Sequence, residues 1–160
     1  EKNQALYFMY LKKFLEKLST HFEKKVVVCL HPKSNENLYN KYLGNFKLEK
    51  YKTREYIEKS FLVTFHESTA ITDAIYLKKR IIRLNTNLLG SYLSKRIALY
   101  DKYNFLTIDL IKEKEAISHD LLELLDDNVN QYQKHTLAEF KVNNEALSET
   151  KILEILSNDF

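Results

Sequence analysis

Cysteine, proline and glycine are scarce in this sequence of 160 residues, which holds one, one and two of them respectively. A lone cysteine, Cys29, excludes an internal disulfide and fits a reducing compartment. It lies in the apolar run VVVCL, where it reads as a small buried hydrophobe, because nothing nearby makes an exposed thiolate of it. With only Gly44 and Gly90 there is no glycine-rich phosphate loop, and the glycines of a nucleophile elbow are missing around Ser68. Long hydrophobic runs are absent too. No segment approaches the length of a membrane span, and the amino end, EKNQALYFMYLKKFLEKL, lacks the layout of a signal peptide. A soluble, cytoplasmic chain is expected. His21, His31, His66, His119 and His135 show no compact ligand spacing, so no metal is expected.

What is present suits one ordinary core. The chain is 44% hydrophobic and 12% aromatic, and residues 1–160 are expected to form a single domain. The balance of 25 Lys+Arg against 22 Asp+Glu leaves +3, too little to argue for nucleic acid. Tyrosines 39, 42, 51, 56, 100 and 103 are numerous enough to suggest base stacking. Without a basic-aromatic motif they read as amphipathic packing residues. Basic side chains cluster at Lys78, Lys79, Arg80 and Arg83, and Glu113 to Asp127 is mainly acidic, which reads as a polarised, solvated surface.

Apolar residues Leu6, Met9, Tyr10, Phe14, Leu15 and Leu18 recur at helical intervals and predict an amphipathic helix from Asn3 to Phe22. Val26 to Leu30 is a β-branched run stopped by Pro32, and it predicts a buried strand. Helices are predicted at Glu36 to Leu43 and Thr53 to Lys59, with a short strand at Phe46 to Glu49 between them. Phe61 to Phe65, Arg80 to Leu84 and Phe105 to Asp109 read as further strands. The remaining helices are predicted near Thr69 to Lys78, Leu93 to Lys102, Glu113 to Leu125, Asn130 to Phe140 and Leu147 to Leu156. Short apolar strands alternating with helices require crossovers, so the fold class is α/β, a doubly wound, mainly parallel sheet with helices on both faces.

Ligands bind such sheets beyond the carboxyl ends of the strands. Two of the best strands end there in polar residues: VVVCL in His31-Pro32-Lys33-Ser34, and FLVTF in His66-Glu67-Ser68-Thr69. Ser68 or Thr69 can cap the following helix, and the free amides at that helix start also make an anion site. Each histidine has a plainer reading as well. His66 can simply bond a neighbouring carbonyl, and His31 can be a turn residue before proline. VVVCL and FLVTF are expected to be interior parallel strands whose carboxyl ends bring His31 and Ser68 to the same edge of one sheet. In that shared crevice a protonated imidazole neutralises phosphate or acts as a general acid.

With VVVCLHPKS and FLVTFHESTAITDAIYLKKRII in view, the sequence resembles the carboxy-terminal, donor-binding half of GT-B glycosyltransferases. The nearest groups are the sialyltransferase, Kdo-transferase and glycerophosphotransferase-like enzymes of bacterial surface polysaccharide synthesis. The resemblance covers about Phe14 to Asp109 and implies a Rossmann-like domain that binds a CMP-, UDP- or CDP-linked nucleotide-sugar donor without a further cofactor. It also implies roles for individual residues. His31 contacts the donor phosphate and protonates the departing nucleotide, His66 lies in the binding turn, Ser68 and Thr69 hold phosphate oxygens, and Asp73 meets the ribose hydroxyls. The family pattern Leu-Gly-Lys-Pro is replaced here by Leu77-Lys78-Lys79-Arg80.

In the resembling enzymes a strand and a complete amino-terminal domain precede the first helix. The chain is therefore expected to be part of a larger transferase, inactive alone, whose saccharide acceptor is held by the missing domain. The full-length protein is expected to associate peripherally with a membrane. Two other classes stay open: a nucleotide-sugar epimerase-like domain and a non-catalytic α/β interaction module.

Overall fold

A computed structural model describes residues 2–90, 98–112 and 117–140. The chain begins with α1 (Lys2–Phe22), β1 (Val27–Leu30), α2 (Glu36–Leu43), β2 (Lys47–Lys50), α3 (Thr53–Lys59) and β3 (Leu62–Phe65). It continues through α4 (Ile71–Tyr76), β4 (Arg80–Asn85), a short 3-10 helix (Ala98–Tyr103), β5 (Leu106–Asp109) and α5 (Leu121–Phe140). The fold is α/β with parallel strands.

The strands form two sheets. β1 pairs with β2, and a three-stranded sheet has the order β3-β4-β5. This corrects one expectation: among the described residues VVVCL and FLVTF are not interior strands, since each is hydrogen-bonded to one neighbouring strand, and β4 lies between β3 and β5. A five-residue apolar run identifies a half-buried or buried strand but does not name its ladder neighbours. The sheets are joined by side chains. Tyr7, Phe8, Leu11, Phe14, Leu15 and Leu18 of α1 share one core with Val28 and Leu48 from the first sheet and with Leu62, Ile82, Leu84 and Ile108 from the second.

A second core lies on the other side of the three-stranded sheet. Alternation along β4 sends Ile82 and Leu84 into the first core and Ile81 into the second, with Phe65, Ile57, Ile71, Ala74, Ile75 and Tyr132. Ile81, Ile82 and Phe14 are fully buried, each contributing about 1.5–3 kcal/mol by leaving water.

The buried face of α1 differs from the expected one in its first turns. Tyr7, Phe8 and Leu11 are buried, whereas Met9 is 52% exposed. The spacing 7, 11, 14 and 18 follows a single helical stripe, and the phenol of Tyr7 qualifies for it.

Several polar residues are consumed in holding elements together. The two helices expected at Glu113 to Leu125 and Asn130 to Phe140 are, among the described residues, one continuous α5 from Leu121. In the polar stretch between the two expected helices, Asp126 pairs with Arg80 through two hydrogen bonds of 2.6 and 3.2 Å. Asn128 is buried, accepting from the Leu106 amide and donating to the Asn104 carbonyl.

The basic cluster is likewise structural in large part. Lys79 donates to the carbonyls of Glu58 and Ser60, and Arg83 pairs with Asp101. Helix α4 closes with the Lys78 amide bonded to the Ile75 carbonyl and the Lys79 amide to that of Ala74, while Lys78 takes a left-handed φ of 53°. Lysine thus fills the place glycine usually takes in this helix ending. The expected helix at Leu93 to Lys102 is represented by the 3-10 helix Ala98–Tyr103, its earlier residues lying outside the described ones, as does the one expected at Leu147 to Leu156. Among the described residues no helix is long and apolar enough to cross a membrane, and no group of three His, Cys, Asp or Glu residues is placed to hold a metal ion.

Candidate ligand site at the carboxyl ends of the strands

The turn after β1 is short because Pro32 fixes the backbone just past the strand. The Ser34 amide donates to the His31 carbonyl at 2.8 Å, and the Lys33 amide donates to His31 Nδ1 at 3.1 Å. Nδ1 is therefore an acceptor, and the ring proton of neutral His31 sits on Nε2. The ring is exposed. Asn35 then caps α2 by accepting from the Leu38 amide. Lys50, at the end of β2, donates to the Ser34 carbonyl at 3.0 Å and lies 3.5 Å from Glu36, so the neighbouring strand end holds this turn in place.

The turn after β3 is embedded. His66 Nδ1 lies 2.8 Å from the Leu84 carbonyl, and Nε2 lies 3.0 Å from the Tyr7 hydroxyl. A carbonyl only accepts, so Nδ1 carries the proton and Tyr7 donates to Nε2. Burial pulls the His66 pKa down to about 4, against the opposing effect of the Leu84 bond, so the ring is neutral at pH 7. Burial also pushes the Tyr7 phenol up, which keeps it a donor. His66 thus meets its plainer reading, a bond to a carbonyl, and in this setting it is not the protonated imidazole expected to neutralise phosphate.

Ser68, Thr69 and Asp73 fall together at the start of α4. Ser68 Oγ accepts from the Ala70 amide at 3.2 Å, so its hydroxyl satisfies one free amide just before the helix. The helix begins tightly: Ile71, Thr72 and Asp73 donate to the carbonyls of Ser68, Thr69 and Ala70. Thr69 is exposed, and its carbonyl also accepts from Thr72 Oγ1. Asp73 is half-buried, and its carboxylate forms no ion pair or hydrogen bond among the described residues. Tyr100 donates to the Ser68 carbonyl and anchors the turn from the side of the 3-10 helix.

No hydrogen bond or ring contact joins His31 to His66, Ser68, Thr69 or Asp73. Each turn leaves the carboxyl end of its own parallel pair, and each is tied down separately. Two clefts on the described surface lie elsewhere. One of about 570 Å³ is lined by Ser60, Phe61, Lys79 and Arg80 near the amino ends of β3 and β4, and one of about 330 Å³ flanks β5.

Sequence reasoning missed Tyr7, Lys50 and Tyr100. Tyr7 was accessible through the 7, 11, 14, 18 stripe, but the other two contacts depend on packing that no local pattern announces. Cys29 is half-buried, and burial pushes its thiol up, against a hydrogen bond with Thr53, which disfavours the thiolate. No known protein family, curated protein or solved structure matches the chain.

Proposed function

We propose that this chain is the nucleotide-sugar-binding domain of an inverting glycosyltransferase of the GT-B class, acting in bacterial surface polysaccharide synthesis. The observation that carries the reading is the position of the two motifs: both polar turns leave the carboxyl ends of parallel strands, the side on which α/β sheets bind ligands. In this reading the fold is the Rossmann-like half of a two-domain enzyme. The exposed Nε2–H of His31 donates to a donor phosphate. As the imidazolium, with Nδ1 protonated and released from the Lys33 amide, His31 gives the Nε2 proton to the departing nucleotide and returns to neutral imidazole. The hydroxyls of Ser68 and Thr69 meet phosphate oxygens, and the carboxylate of Asp73, without a partner among the described residues, accepts from ribose hydroxyls. His66 acts in the neutral form, fixing the second turn through Tyr7 and the Leu84 carbonyl.

Transfer requires an acceptor held in line with the donor, and the reading assigns that acceptor to a second domain. The 160-residue chain is then expected to bind donors without transferring sugar. Calorimetry with CMP-, UDP- and CDP-linked sugars tests this. One donor class is expected to bind, and His31→Ala to weaken it by about 1.5–3 kcal/mol, the worth of a charge-assisted hydrogen bond. Failure of every donor to bind sinks the reading, and unchanged affinity in His31→Ala removes His31 from it.

A further inference from the structure

Of the tyrosines that the sequence presented as packing residues, Tyr51 departs from the pattern. Tyr39, Tyr42, Tyr56 and Tyr100 are half-buried and Tyr103 is buried, but Tyr51 is 78% exposed. Its phenol makes no hydrogen bond or ring contact among the described residues. Its backbone is left-handed, with φ 65°, a conformation uncommon for a bulky side chain. The sharp passage from β2 into α3 accounts for the φ value. It does not account for the ring, because asparagine or glycine makes such a turn at lower cost.

The ring's position relative to the first turn supplies the missing reason. β1 and β2 are parallel, with Leu30 opposite Lys50, so His31 and Tyr51 are the residues that leave the sheet side by side at its carboxyl end. Lys50 stitches the two exits together through the Ser34 carbonyl. Lys33 and Lys52 are exposed beside them, and the Lys33 ammonium forms no ion pair among the described residues. An exposed aromatic face next to a histidine and lysines suits a molecule with a flat ring at one end and phosphate at the other. Aromatic faces hold bases by stacking, with little dependence on their identity.

We propose that Tyr51 is the stacking platform for the base of a bound nucleotide whose phosphate is met at the His31 turn. This rests on the donor-binding reading above and adds the place of the base to it. The chain has no tryptophan, so Tyr51→Trp introduces a single indole at the proposed platform. CMP, UMP and AMP are expected to quench that indole, and ribose 5-phosphate and pyrophosphate to leave it unchanged.

In calorimetry, Tyr51→Asn is expected to weaken CMP binding about tenfold, within the range of one base–aromatic stack. The same variant should keep the affinity for ribose 5-phosphate and should not lower the melting temperature, since asparagine accepts the left-handed backbone. Equal nucleotide affinity in wild type and Tyr51→Asn, with no indole quenching, overturns the platform and leaves the donor-binding reading standing. A lowered melting temperature with parallel loss of CMP and ribose 5-phosphate binding makes Tyr51 structural and also overturns it. Absence of any nucleotide binding to the wild type overturns both.

Discussion

His31 and His66 each stand one residue beyond an apolar strand and three or fewer residues before a serine, yet the two turns have opposite characters. The first is exposed, and among the described residues its histidine Nε2 has no partner. The second is built inward, with both ring nitrogens of His66 engaged and its charge suppressed by burial. The difference lies in what covers each strand end. Tyr7 of α1 reaches over β3 to His66, and Tyr100 braces the same turn, whereas Lys50 holds the first turn from its side. A histidine after a strand is therefore a ligand group or a structural bolt according to the element packed above it. One turn is made to present groups, the other to hold shape.

The sharpest way to break this contrast is to remove each ring. His66→Ala strips partners from the Leu84 carbonyl and the Tyr7 hydroxyl, and a loss of about 3 kcal/mol of unfolding free energy is expected. His31→Ala should cost less than about 0.5 kcal/mol. Urea unfolding of both variants checks this, and equal losses would erase the distinction.

Acid supplies the next test. The folded His66 pKa of about 4 lies below the ordinary 6.5, so between those values the unfolded chain takes up a proton that the folded chain refuses. The contribution of His66 is complete above about pH 6.5 and is lost as the pH falls toward 4. A shift of this size is worth at most about 3–4 kcal/mol, and partial exposure of the ring brings the expected loss nearer about 2. Subtracting the pH profile of His66→Gln from that of the wild type should isolate this fall. A flat difference would mean that His66 protonates freely in the folded protein.

The smallest effects come from the serines. Ser68 Oγ accepts from the Ala70 amide, so Ser68→Ala should cost about 1 kcal/mol. Ser34 engages through its backbone, and Ser34→Ala should be silent in the same unfolding measurement.

Much of the fold was legible because it is locally encoded. Helices α2 and α3 begin and end at the residues that the sequence indicated, where Asn35 and Gly44 bound the first of them. All five strands fall within a residue or so of their apolar runs. What failed was long-range. The sequence reading places two helices where α5 is continuous, with the polar Asp126 and Asn128 between them. Here Arg80 and the backbone at Asn104 and Leu106 make them tertiary contacts that let α5 run on. The site divided in the same manner. Both polar turns were visible as sequence, but the neutrality of His66 comes from its burial, and Tyr7, the partner of its Nε2, lies 59 residues away. The exposure of Tyr51 likewise reflects the absence of a neighbour, which composition does not record.

The ladder that stops between the two sheets has a mechanical consequence. Among the described residues no row of backbone hydrogen bonds joins β1 to β3; the two sheets are linked through the aromatic and aliphatic side chains that α1 lays across both. Dispersion contacts soften over fractions of an ångström, whereas a ladder yields bond by bond at a threshold. The distance between the two turns is thus governed by side-chain volume at positions such as Phe8, Leu11 and Phe14. Those residues act as spacers, and trimming or enlarging one of them retunes the gap without touching either turn.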